Sequence, residues 1–383
     1  MTKENLSNTL AMLGGGQLGR FFVMSAQKLG YKVLVLDPDP NSPAGQIADN
    51  HLCASYDDEQ ALRQIIDSCD YVSTEFENIP AHTLQFLEKD LTVRPSSKAV
   101  SIVQNRILEK SFLKDNNFPV GDFIIISSLD DLQKVELLIF PAILKIAQFG
   151  YDGKGQIHVN NKEELKKAFT KFKNAPCVLE KKINLDTEVS VVLARSNNNE
   201  KVFYPLVENQ HINGILDTSI IPAEVNQEIY DEALKIADRL ASALDYVGVM
   251  AVEFFVCQNH VYVNEIAPRP HNSGHFSIDA CDYSQFDLQV RTLTGMKLEQ
   301  PKLIHNSRMI NLLGDVWFRG NTQINPAFNN IKDESIKLHL YGKKEPRMGR
   351  KMGHFTVLGD DPEKIKELAY KTKEMLLSKT WEH

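Results

Sequence analysis

The sequence lacks the two features that would most directly indicate a membrane or nucleic-acid partner. No run of apolar residues approaches the length needed to cross a bilayer. Positive charge is not in excess, because the formal net charge of the 383 residues is -7, which gives no electrostatic reason to expect nucleic-acid binding. The first ten residues, MTKENLSNTL, lack the charged and then apolar pattern of a signal peptide. We therefore expect a cytoplasmic protein without a membrane or nucleic-acid partner.

Cysteine is scarce and scattered, and no two cysteines form a C-x-x-C pair. This spacing disfavours structural disulfides and a cysteine-based zinc site, and it is typical of a protein from a reducing compartment. The five cysteines are Cys53, Cys69, Cys177, Cys257 and Cys281.

A glycine-rich turn follows the first apolar run, in the stretch AMLGGGQLGR at residues 11–20. Gly14, Gly16 and Gly19 have the G-x-G-x-x-G spacing, a helical pattern follows, and the next strand pattern ends near Asp37. This arrangement is typical of a dinucleotide-binding βαβ unit. An NAD-dependent oxidoreductase is therefore one interpretation, although Asp37 is equally well explained as a turn residue at the end of a strand.

The first hundred residues alternate short β-rich runs with helical stretches, which predicts a parallel sheet flanked by helices. Pro95 is followed by a helical pattern that we predict to continue to about Asn117. The pattern then changes to strand-like segments that are typical of an α+β region built on antiparallel sheet. A helix is predicted over EIYDEALKIADRLASAL, and a final amphipathic helix is predicted from Pro362.

These changes of pattern predict four parts of the chain. An N-terminal α/β domain would span residues 1–107, and a small C-terminal β-rich domain would span 301–383. Between them, an α+β region would divide into residues 108–180, which carry a second glycine-rich loop, and 181–300, which carry a hairpin.

Two glutamates are predicted to face each other on that hairpin, in the segment EFFVCQNHVYVNE. With Gln258, Asn259 and His260 as the loop, Glu253 lies opposite Glu265. Like charges at opposed positions are destabilising. A divalent cation held between them together with substrate phosphates is one interpretation, and a solvated end of the ladder is the other. The same register pairs Phe255 with Val263 and Cys257 with Val261.

The segment after the hairpin, IAPRPHNSGH, carries Arg269, His271, Asn272 and His275. His271 and His275 have the spacing of a zinc-binding pair on a helix, but the neighbouring proline and glycine disfavour a helix there. The interpretation that we favour is a cationic, hydrogen-bonding loop beside a site for metal and phosphate.

The second glycine-rich loop lies in PAILKIAQFGYDGKGQIHV, between two predicted strands, and contains Gly150, Gly153 and Gly155. Glycine lets backbone amides approach phosphate oxygens, and Lys154 adds positive charge. The loop is not a Walker A motif, and a long hairpin turn would explain it if it stood alone. Lys145 favours a phosphate site, because a lysine within AILKIA would be buried unless it met an anion.

Lys145, the loop GYDGKGQ, the strand VLEKKI and the Glu253/Glu265 hairpin together resemble the ATP-grasp superfamily. Within it, the segments GGGQLGR, STEFENIP, FGYDGKGQ, ENQHINGILDTSIIPA, VEFFV, NEIAPRPHNSGH and GRKMGH resemble the 5-(carboxyamino)imidazole ribonucleotide synthetases. The resemblance covers essentially the whole chain in order. It implies an N-terminal α/β pre-ATP-grasp domain, small and large ATP-grasp subdomains, a C-terminal β-rich domain and a homodimer.

The activity that the resemblance implies is the ATP-dependent carboxylation of 5-aminoimidazole ribonucleotide (AIR) by bicarbonate, in purine biosynthesis. Carboxyphosphate would be the intermediate, and the products would be 5-(carboxyamino)imidazole ribonucleotide, ADP and phosphate.

Glu253 and Glu265 would hold Mg²⁺, which offsets phosphate charge. Ala267 stands where many ATP-grasp enzymes have an asparagine ligand, so water, phosphate or Asn264 would complete the metal shell. The residues assigned to ATP are Arg106, Lys145, Gly150, Tyr151, Asp152, Gly153, Lys154, Gly155, Gln156, Glu180, Lys181, Lys182, Ile183, Glu188, His211, Asn264 and Glu265.

The same resemblance implies the catalytic residues. Arg269, His271 and Asn272 would bind bicarbonate and its phosphorylated form. Asp152 would orient or deprotonate the amine of AIR, with Lys154 beside it on the loop. The residues expected to contact AIR are Gln17, Glu75 and Tyr151, with Lys343, Arg350 and Lys351 for its 5′-phosphate.

Three other functions stay open on the sequence. A formate-dependent glycinamide ribonucleotide transformylase would share the ATP residues and activate a different acid. An NAD-dependent oxidoreductase would use the first glycine turn. A catalytically inactive ATP-binding or scaffold protein would keep the fold, but the presence of Lys145, Glu253 and Glu265 together argues against it.

Overall fold

The computed structural model describes residues 9–148, 150 and 155–377. Its first sheet is built from β1 (Thr9–Leu13), β2 (Lys32–Leu36), β3 (Asn50–Leu52), β4 (Tyr71–Thr74) and β5 (Thr92–Arg94). The strands are parallel and lie in the order β3-β2-β1-β4-β5. They are connected through the helices α1 (Gln17–Lys28), α2 (Glu59–Ser68) and α3 (Ala81–Leu87). The predicted parallel sheet flanked by helices is confirmed.

Four of the five residues of the central strand β1 are apolar and buried, because both faces of the sheet are covered there. Ala11 and Leu13 pack into a core on one side of the sheet, and Leu10 and Met12 pack into a core on the other. Because β1 and β4 are parallel neighbours, their carboxyl ends meet at one edge of the sheet. The glycine-rich turn and the residues after β4 lie at this edge.

The prediction of one continuous helix from Pro95 to about Asn117 is wrong. The structure has two helices, α4 (Ser97–Val103) and α5 (Arg106–Asp115). Asn105 between them has an extended backbone, and its side chain accepts a hydrogen bond from the amide of Ile107 at 2.9 Å. This cap starts a new helix, so that α5 has its own direction.

The second sheet is small and antiparallel. It contains β6 (Phe123–Ile126), β7 (Ala142–Ile146), β8 (Gln156–Val159) and β9 (Cys177–Lys181) in the order β6-β9-β7-β8, with α6 (Leu129–Lys134) and α7 (Lys162–Lys171) beside it. The register pairs Lys145 with Val178 and Ile143 with Glu180. Lys145 and Glu180 are therefore diagonal neighbours on one face of the sheet.

The third sheet is antiparallel and continues into the C-terminal part of the chain. Its first six strands along the chain are β10 (Thr187–Arg195), β11 (Lys201–Phe203), β12 (Val207–Ile212), β13 (Ile215–Ile221), β14 (Gly248–Cys257) and β15 (His260–Ala267). Next comes β16 (Asn306–Leu313), then the separate ribbon β17 (Phe318–Arg319) and β18 (Thr322–Gln323), and finally β19 (Ile336–Leu340) and β20 (Lys351–Gly359). The order is β15-β14-β10-β12-β13-β16-β20-β19, with β11 beside β10.

The remaining α-helices are α8 (Gln227–Ala243), α9 (Ser277–Ala280), α10 (Gln285–Thr294) and α11 (Pro362–Leu377). The two helices predicted over EIYDEALKIADRLASAL and from Pro362 are confirmed. No helix in the ranges described above is both long and apolar enough to cross a membrane.

A cluster of histidines lies where α1, α9 and the C-terminal strands pack together. The rings of His275 and His354 are 4.9 Å apart between centroids, and those of His339 and His354 are 4.8 Å apart. His275 and His354 are fully buried, and Phe21 of α1 contacts all three rings. Burial, together with the charges of the neighbouring histidines, lowers the pKa of His275 and of His354 well below the ordinary value. Only His339 has a carboxylate partner within this cluster, Asp279 at 2.8 Å.

This cluster predicts acid sensitivity of the fold. His275 and His354 stay neutral in the folded protein, whereas in the unfolded chain they take up a proton once the pH falls below about 6.5. Each should then lower the free energy of unfolding by up to about 1.4 kcal/mol per pH unit, and this contribution is absent above that pH. Urea unfolding of the wild type and of His354→Gln between about pH 7.5 and pH 5.5 measures the slope. The variant should show the shallower slope, and equal slopes would contradict the assignment.

Candidate active site

The first glycine-rich turn is folded around two carboxylates of its own chain. The amide of Gly15 donates to Asp37 Oδ2 at 2.7 Å, and the amides of Gly16 and Leu18 donate to the carboxylate of Glu75. A Cβ atom at Gly16 would lie 2.2 Å from Glu75 Oε1, so only glycine permits this approach. The amides that would meet a pyrophosphate in a dinucleotide-binding protein are therefore already paired, which argues against the NAD interpretation.

The residues expected to contact AIR come from both ends of the chain, and the structure brings several of them together. Burial raises the pKa of Glu75, although the turn amides and the charge of Lys343 oppose this effect. Lys343 Nζ donates to the backbone carbonyl of Lys351 at 2.8 Å. Arg350 precedes Lys351 and is half-buried, and Gln17, also half-buried, opens α1 directly after the glycine turn.

Lys145 and Glu180 form a buried ion pair on neighbouring strands of the small sheet. Lys145 Nζ lies 2.9 Å from Glu180 Oε2, and Lys110 Nζ of α5 lies 3.6 Å from the same oxygen. Burial opposes ionisation of Glu180, but the two lysines outweigh it and lower the pKa of this carboxyl to about 2. Within the described ranges, Glu180 Oε1 is buried without a hydrogen-bond partner. The site therefore holds fixed cations and an acceptor to which a ligand N–H can donate.

The hairpin that carries the two glutamates differs from the prediction in two places. Its turn has only two residues, Gln258 and Asn259, both with positive φ, as a type I′ turn requires. A β-bulge then inserts Asn264 as an extra residue just before Glu265. The two differences cancel, so Glu253 pairs with Glu265 as predicted. The predicted pairs nearer the turn are wrong: the structure pairs Phe254 with Val263, Phe255 with Tyr262, Val256 with Val261 and Cys257 with His260.

Each of the two glutamates has a nitrogen partner. Arg106 Nη1 donates to Glu265 Oε2 at 3.1 Å, and His271 Nε2 lies 3.1 Å from Glu253 Oε1. Asn264 Nδ2 lies 3.5 Å from Glu253 Oε2, and no described residue hydrogen-bonds the buried Asn264 Oδ1. Carboxylate and amide oxygens are the donors that Mg²⁺ prefers, so this donor set fits the ion.

The described part of the chain contains no group of three or more histidine, cysteine or acidic side chains placed to hold a metal. A Mg²⁺ ion at the hairpin would therefore need oxygens from a bound nucleotide as well, which is usual for this ion. His271 and His275, the alternative zinc pair, have separate partners: His271 contacts Ser273 and Glu253, and His275 contacts Gln285.

Electrostatics keep Glu253 ionised. Burial opposes its ionisation, but the hydrogen bond from His271 and the charges of His211 and Lys351 outweigh burial and lower the pKa of Glu253. His211 Nδ1 lies 3.0 Å from Glu188 Oε2, in an ion-pair contact that is not aligned as a hydrogen bond. Burial lowers the pKa of His211, but Glu188 and Glu253 together raise it above the ordinary value.

The other two members of the proposed bicarbonate loop are held by side chains that the sequence did not point to. Arg269 Nε donates to Glu77 Oε2 at 2.5 Å. Asn272 and Asn311 exchange two amide hydrogen bonds of 3.1 and 2.7 Å. The amide of Asn272 is thus engaged inside the protein, and Arg269 joins this loop to the N-terminal sheet domain.

The second glycine-rich loop is only partly described. Tyr151, Asp152, Gly153 and Lys154 lie outside the described residues. Gly155 has a φ of +75°, and a Cβ atom there would lie 2.7 Å from Ile146 Cγ2, which explains the glycine.

The remaining predicted ATP residues flank this loop and β9. Gly150 and Gln156 are half-buried at its two ends. Lys181 and Lys182 are exposed at the end of β9, and Ile183 follows them.

Known proteins match almost the whole length of this chain. An ATP-grasp domain profile matches residues 111–286, a ribonucleotide synthetase preATP-grasp domain profile matches 7–104, and a phosphoribosylaminoimidazole carboxylase C-terminal domain profile matches 307–368. The N5-carboxyaminoimidazole ribonucleotide synthase of Staphylococcus aureus (strain COL) is 41% identical over 371 residues, which cover 96% of this chain and 97% of that protein. The chain belongs to the N5-carboxyaminoimidazole ribonucleotide synthase family.

Solved structures of this family have the same fold. The structure of the Staphylococcus aureus synthetase complexed with ADP has a TM-score of 0.88 at 40% identity and covers 97% of this chain and 98% of that one. The Aspergillus clavatus synthase in complex with ADP and 5-aminoimidazole ribonucleotide has a TM-score of 0.88 at 30% identity, covering 97% and 99%. The predicted family and fold class are confirmed.

Sequence reasoning missed two buried residues of this family member, Glu109 and Lys110 of α5. Both are buried, although the neighbouring Leu108 is 50% exposed. A signal was present, because positions 109 and 110 share a helix face with Leu113, which is fully buried. Charged residues on the apolar face of a predicted helix indicate buried ionic partners.

Proposed function

We propose that the protein carboxylates the amine of AIR with bicarbonate at the expense of ATP, forming N5-carboxyaminoimidazole ribonucleotide, ADP and phosphate. The observation that carries this proposal is the convergence of Lys145, Arg106 and the Glu253/Glu265 pair in a chain that matches such synthases from end to end. The proteins of known structure that bind ADP or AIR support both ligands for this chain.

In this proposal ATP lies between the small sheet and the glutamate hairpin. Lys145 and Arg106 neutralise its phosphates, and the Gly150–Gln156 loop covers them and excludes water. The segment Glu180–Ile183 offers backbone groups and the unpartnered Glu180 oxygen to the adenine. Glu188, near His211, accepts from the ribose. Glu253, Glu265 and Asn264 would hold Mg²⁺, which would supply charge neutralisation at the phosphates.

The bicarbonate end is formed by the loop after β15. A bicarbonate oxygen attacks the γ-phosphorus, the bond from that phosphorus to the ADP oxygen breaks, and carboxyphosphate forms. Arg269 supplies positive charge to both anions, His271 donates a hydrogen bond, and Asn272 shapes the loop through its pairing with Asn311. Carboxyphosphate breaks down to CO₂ and phosphate inside the closed site, where water cannot intercept it.

The AIR amine then attacks CO₂ and loses a proton, which gives the carbamate. We assign Asp152 to orient or deprotonate that amine, with Tyr151 and Lys154 beside it on the loop. Gln17 and Glu75 contact AIR from the N-terminal sheet domain, and its 5′-phosphate is bound by Lys343, Arg350 and Lys351.

We also propose that the chain is divided into four parts and that it forms a dimer. The pre-ATP-grasp domain spans 1–107, the small and large ATP-grasp subdomains span 108–180 and 181–300, and the C-terminal domain spans 301–383. On the resemblance to its family, we propose a cytoplasmic homodimer.

ADP release from Mg-ATP tests the proposal when AIR and bicarbonate are omitted in turn. We expect ADP formation to need AIR and to give an acid-labile product. Turnover stimulated by formate and independent of bicarbonate would favour the transformylase instead. Activity of Asp152→Ala with an unchanged KM for AIR would remove Asp152 from the mechanism.

A further inference from the structure

Lys110 of α5 contacts both β9 and the glutamate hairpin, and Glu109 contacts the hairpin, yet neither residue belongs to the ligand sets proposed above. Both residues are at most 2% exposed. Buried charges are retained only when they are paired and hydrogen-bonded. The identity of their partners therefore indicates what these two residues do.

Their partners are the two residues that flank Glu265. Lys110 Nζ donates to the backbone carbonyl of Asn264 at 3.0 Å, and Glu109 Oε1 accepts from the backbone amide of Ile266 at 2.7 Å. The two contacts thus hold the chain on either side of Glu265, directly at the β-bulge.

A bulge interrupts the regular ladder and redirects the side chains next to it. At Asn264 the pairing between β14 and β15 shifts by one residue, so the regular ladder does not by itself fix the direction of Glu265. The contacts from α5 supply the missing restraint, and Arg106 of the same helix pairs with the Glu265 carboxylate.

The same helix reaches the nucleotide side of the site. Lys110 Nζ lies 3.6 Å from Glu180 Oε2, and the amide of Arg106 donates to the carbonyl of Ala147, the residue directly after β7, at 2.9 Å. The helix α5 therefore contacts β9, the start of the second glycine-rich loop and the glutamate hairpin.

We propose that Glu109 and Lys110 are positioning residues that hold Glu265 and Asn264 in the arrangement that accepts a magnesium-nucleotide complex. The inference rests on the proposed ATP and Mg²⁺ site and is independent of which acid and amine react there. We therefore expect that the increase in nucleotide affinity caused by Mg²⁺ depends on α5.

Isothermal titration calorimetry of the full chain with ADP, in Mg²⁺ and in EDTA, tests this inference. In Mg²⁺, Glu109→Ala should weaken ADP binding by about 10- to 100-fold, the usual effect of losing a group that orients a metal ligand. In EDTA the same variant should bind ADP like the wild type, because Glu109 contacts only the hairpin. Glu109→Gln keeps an acceptor oxygen for Ile266 and should retain the response to Mg²⁺. Lys114→Met, on the exposed face of α5, is the matched control.

Thermal melting establishes that each variant folds. Should Glu109→Ala not fold, Glu109→Met decides in its place, because methionine fills the same space without an acceptor for the Ile266 amide. Equal weakening of ADP binding with and without Mg²⁺, or Mg²⁺-dependent binding that is unchanged, overturns the inference. A wild-type protein that binds no ADP would instead overturn the proposed function, so the two failures are distinguishable.

Discussion

Replacement of Lys145 by methionine is expected to lower kcat/KM for ATP by about 10²- to 10³-fold, as loss of a pre-positioned charge at a reacting group does. Lys145 is the cation of the small sheet nearest to Glu180, and it is held in place before any ligand arrives. A buried cation that is already oriented acts in a low dielectric and needs no reorganisation when phosphate charge develops. Methionine keeps the length and apolar contacts of the side chain but removes that charge.

The fold of Lys145→Met should survive. Removal of one partner from a buried ion pair costs about 3–5 kcal/mol when the other charge is left unpaired, but Lys110 remains close to Glu180. Steady-state kinetics with ATP varied, beside a thermal melt, separates the two effects. Lys166→Met, an exposed lysine of α7, is the control. A folded Lys145→Met enzyme with kinetics near those of the control would contradict the assignment of Lys145 to the phosphates.

Glu265→Gln is expected to cost a similar factor in turnover and to raise the Mg²⁺ concentration needed for half-maximal activity. A metal ion contributes several kcal/mol of charge stabilisation in phosphoryl transfer, so losing one of its two carboxylates should lower kcat by about 10²- to 10³-fold. Glutamine preserves the shape of the side chain, but it is neutral and leaves Arg106 without the carboxylate at 3.1 Å.

The measurement is ADP release as a function of Mg²⁺ concentration, for the wild type, Glu265→Gln and Glu232→Gln. Glu232 is exposed on α8 and should behave as the wild type does. If activity of Glu265→Gln saturates at the wild-type Mg²⁺ concentration, the pairing of Glu253 with Glu265 is only a feature of the sheet.

The hairpin shows how far local pattern can specify a site. The spacing of Glu253 and Glu265 around QNH was sufficient to place them opposite each other. It did not reveal the two-residue turn or the bulge at Asn264, because a shorter turn and one extra residue give the same pairing at the far end. The bulge is held from α5, so it depends on tertiary contacts that the local pattern does not contain.

The break between α4 and α5 depends on a local cap and on tertiary contacts. Helical periodicity runs through Gln104 and Asn105, and nothing in the apolar spacing marks an end. Asn105 as a cap is a local signal that was present but overlooked. The Gln104 side chain donates to backbone carbonyls of Glu77 and Ile79, residues far away in sequence. Only the folded chain brings these groups together.

The glycine turn illustrates the limit of a short motif. Its spacing fits a dinucleotide site, yet Glu75, which lies 59 residues after Gly16, accepts hydrogen bonds from its amides. The alternation of strands and helices predicted the sheet that brings these segments together, and the family resemblance predicted Glu75 as a site residue. Neither indicated that the carboxylate would sit within the turn.

Transfer of oxygen from bicarbonate to phosphate tests whether the reaction proceeds through carboxyphosphate. With ¹⁸O-labelled bicarbonate, Mg-ATP and AIR, attack on the γ-phosphorus followed by breakage of the carbon–oxygen bond leaves one bicarbonate oxygen in the phosphate. We expect one ¹⁸O atom per phosphate formed, detected by mass spectrometry, and formation of this phosphate should depend on AIR. Phosphate that contains three oxygens from ATP and one from water would show that water attacks ATP, and it would contradict carboxylation through carboxyphosphate.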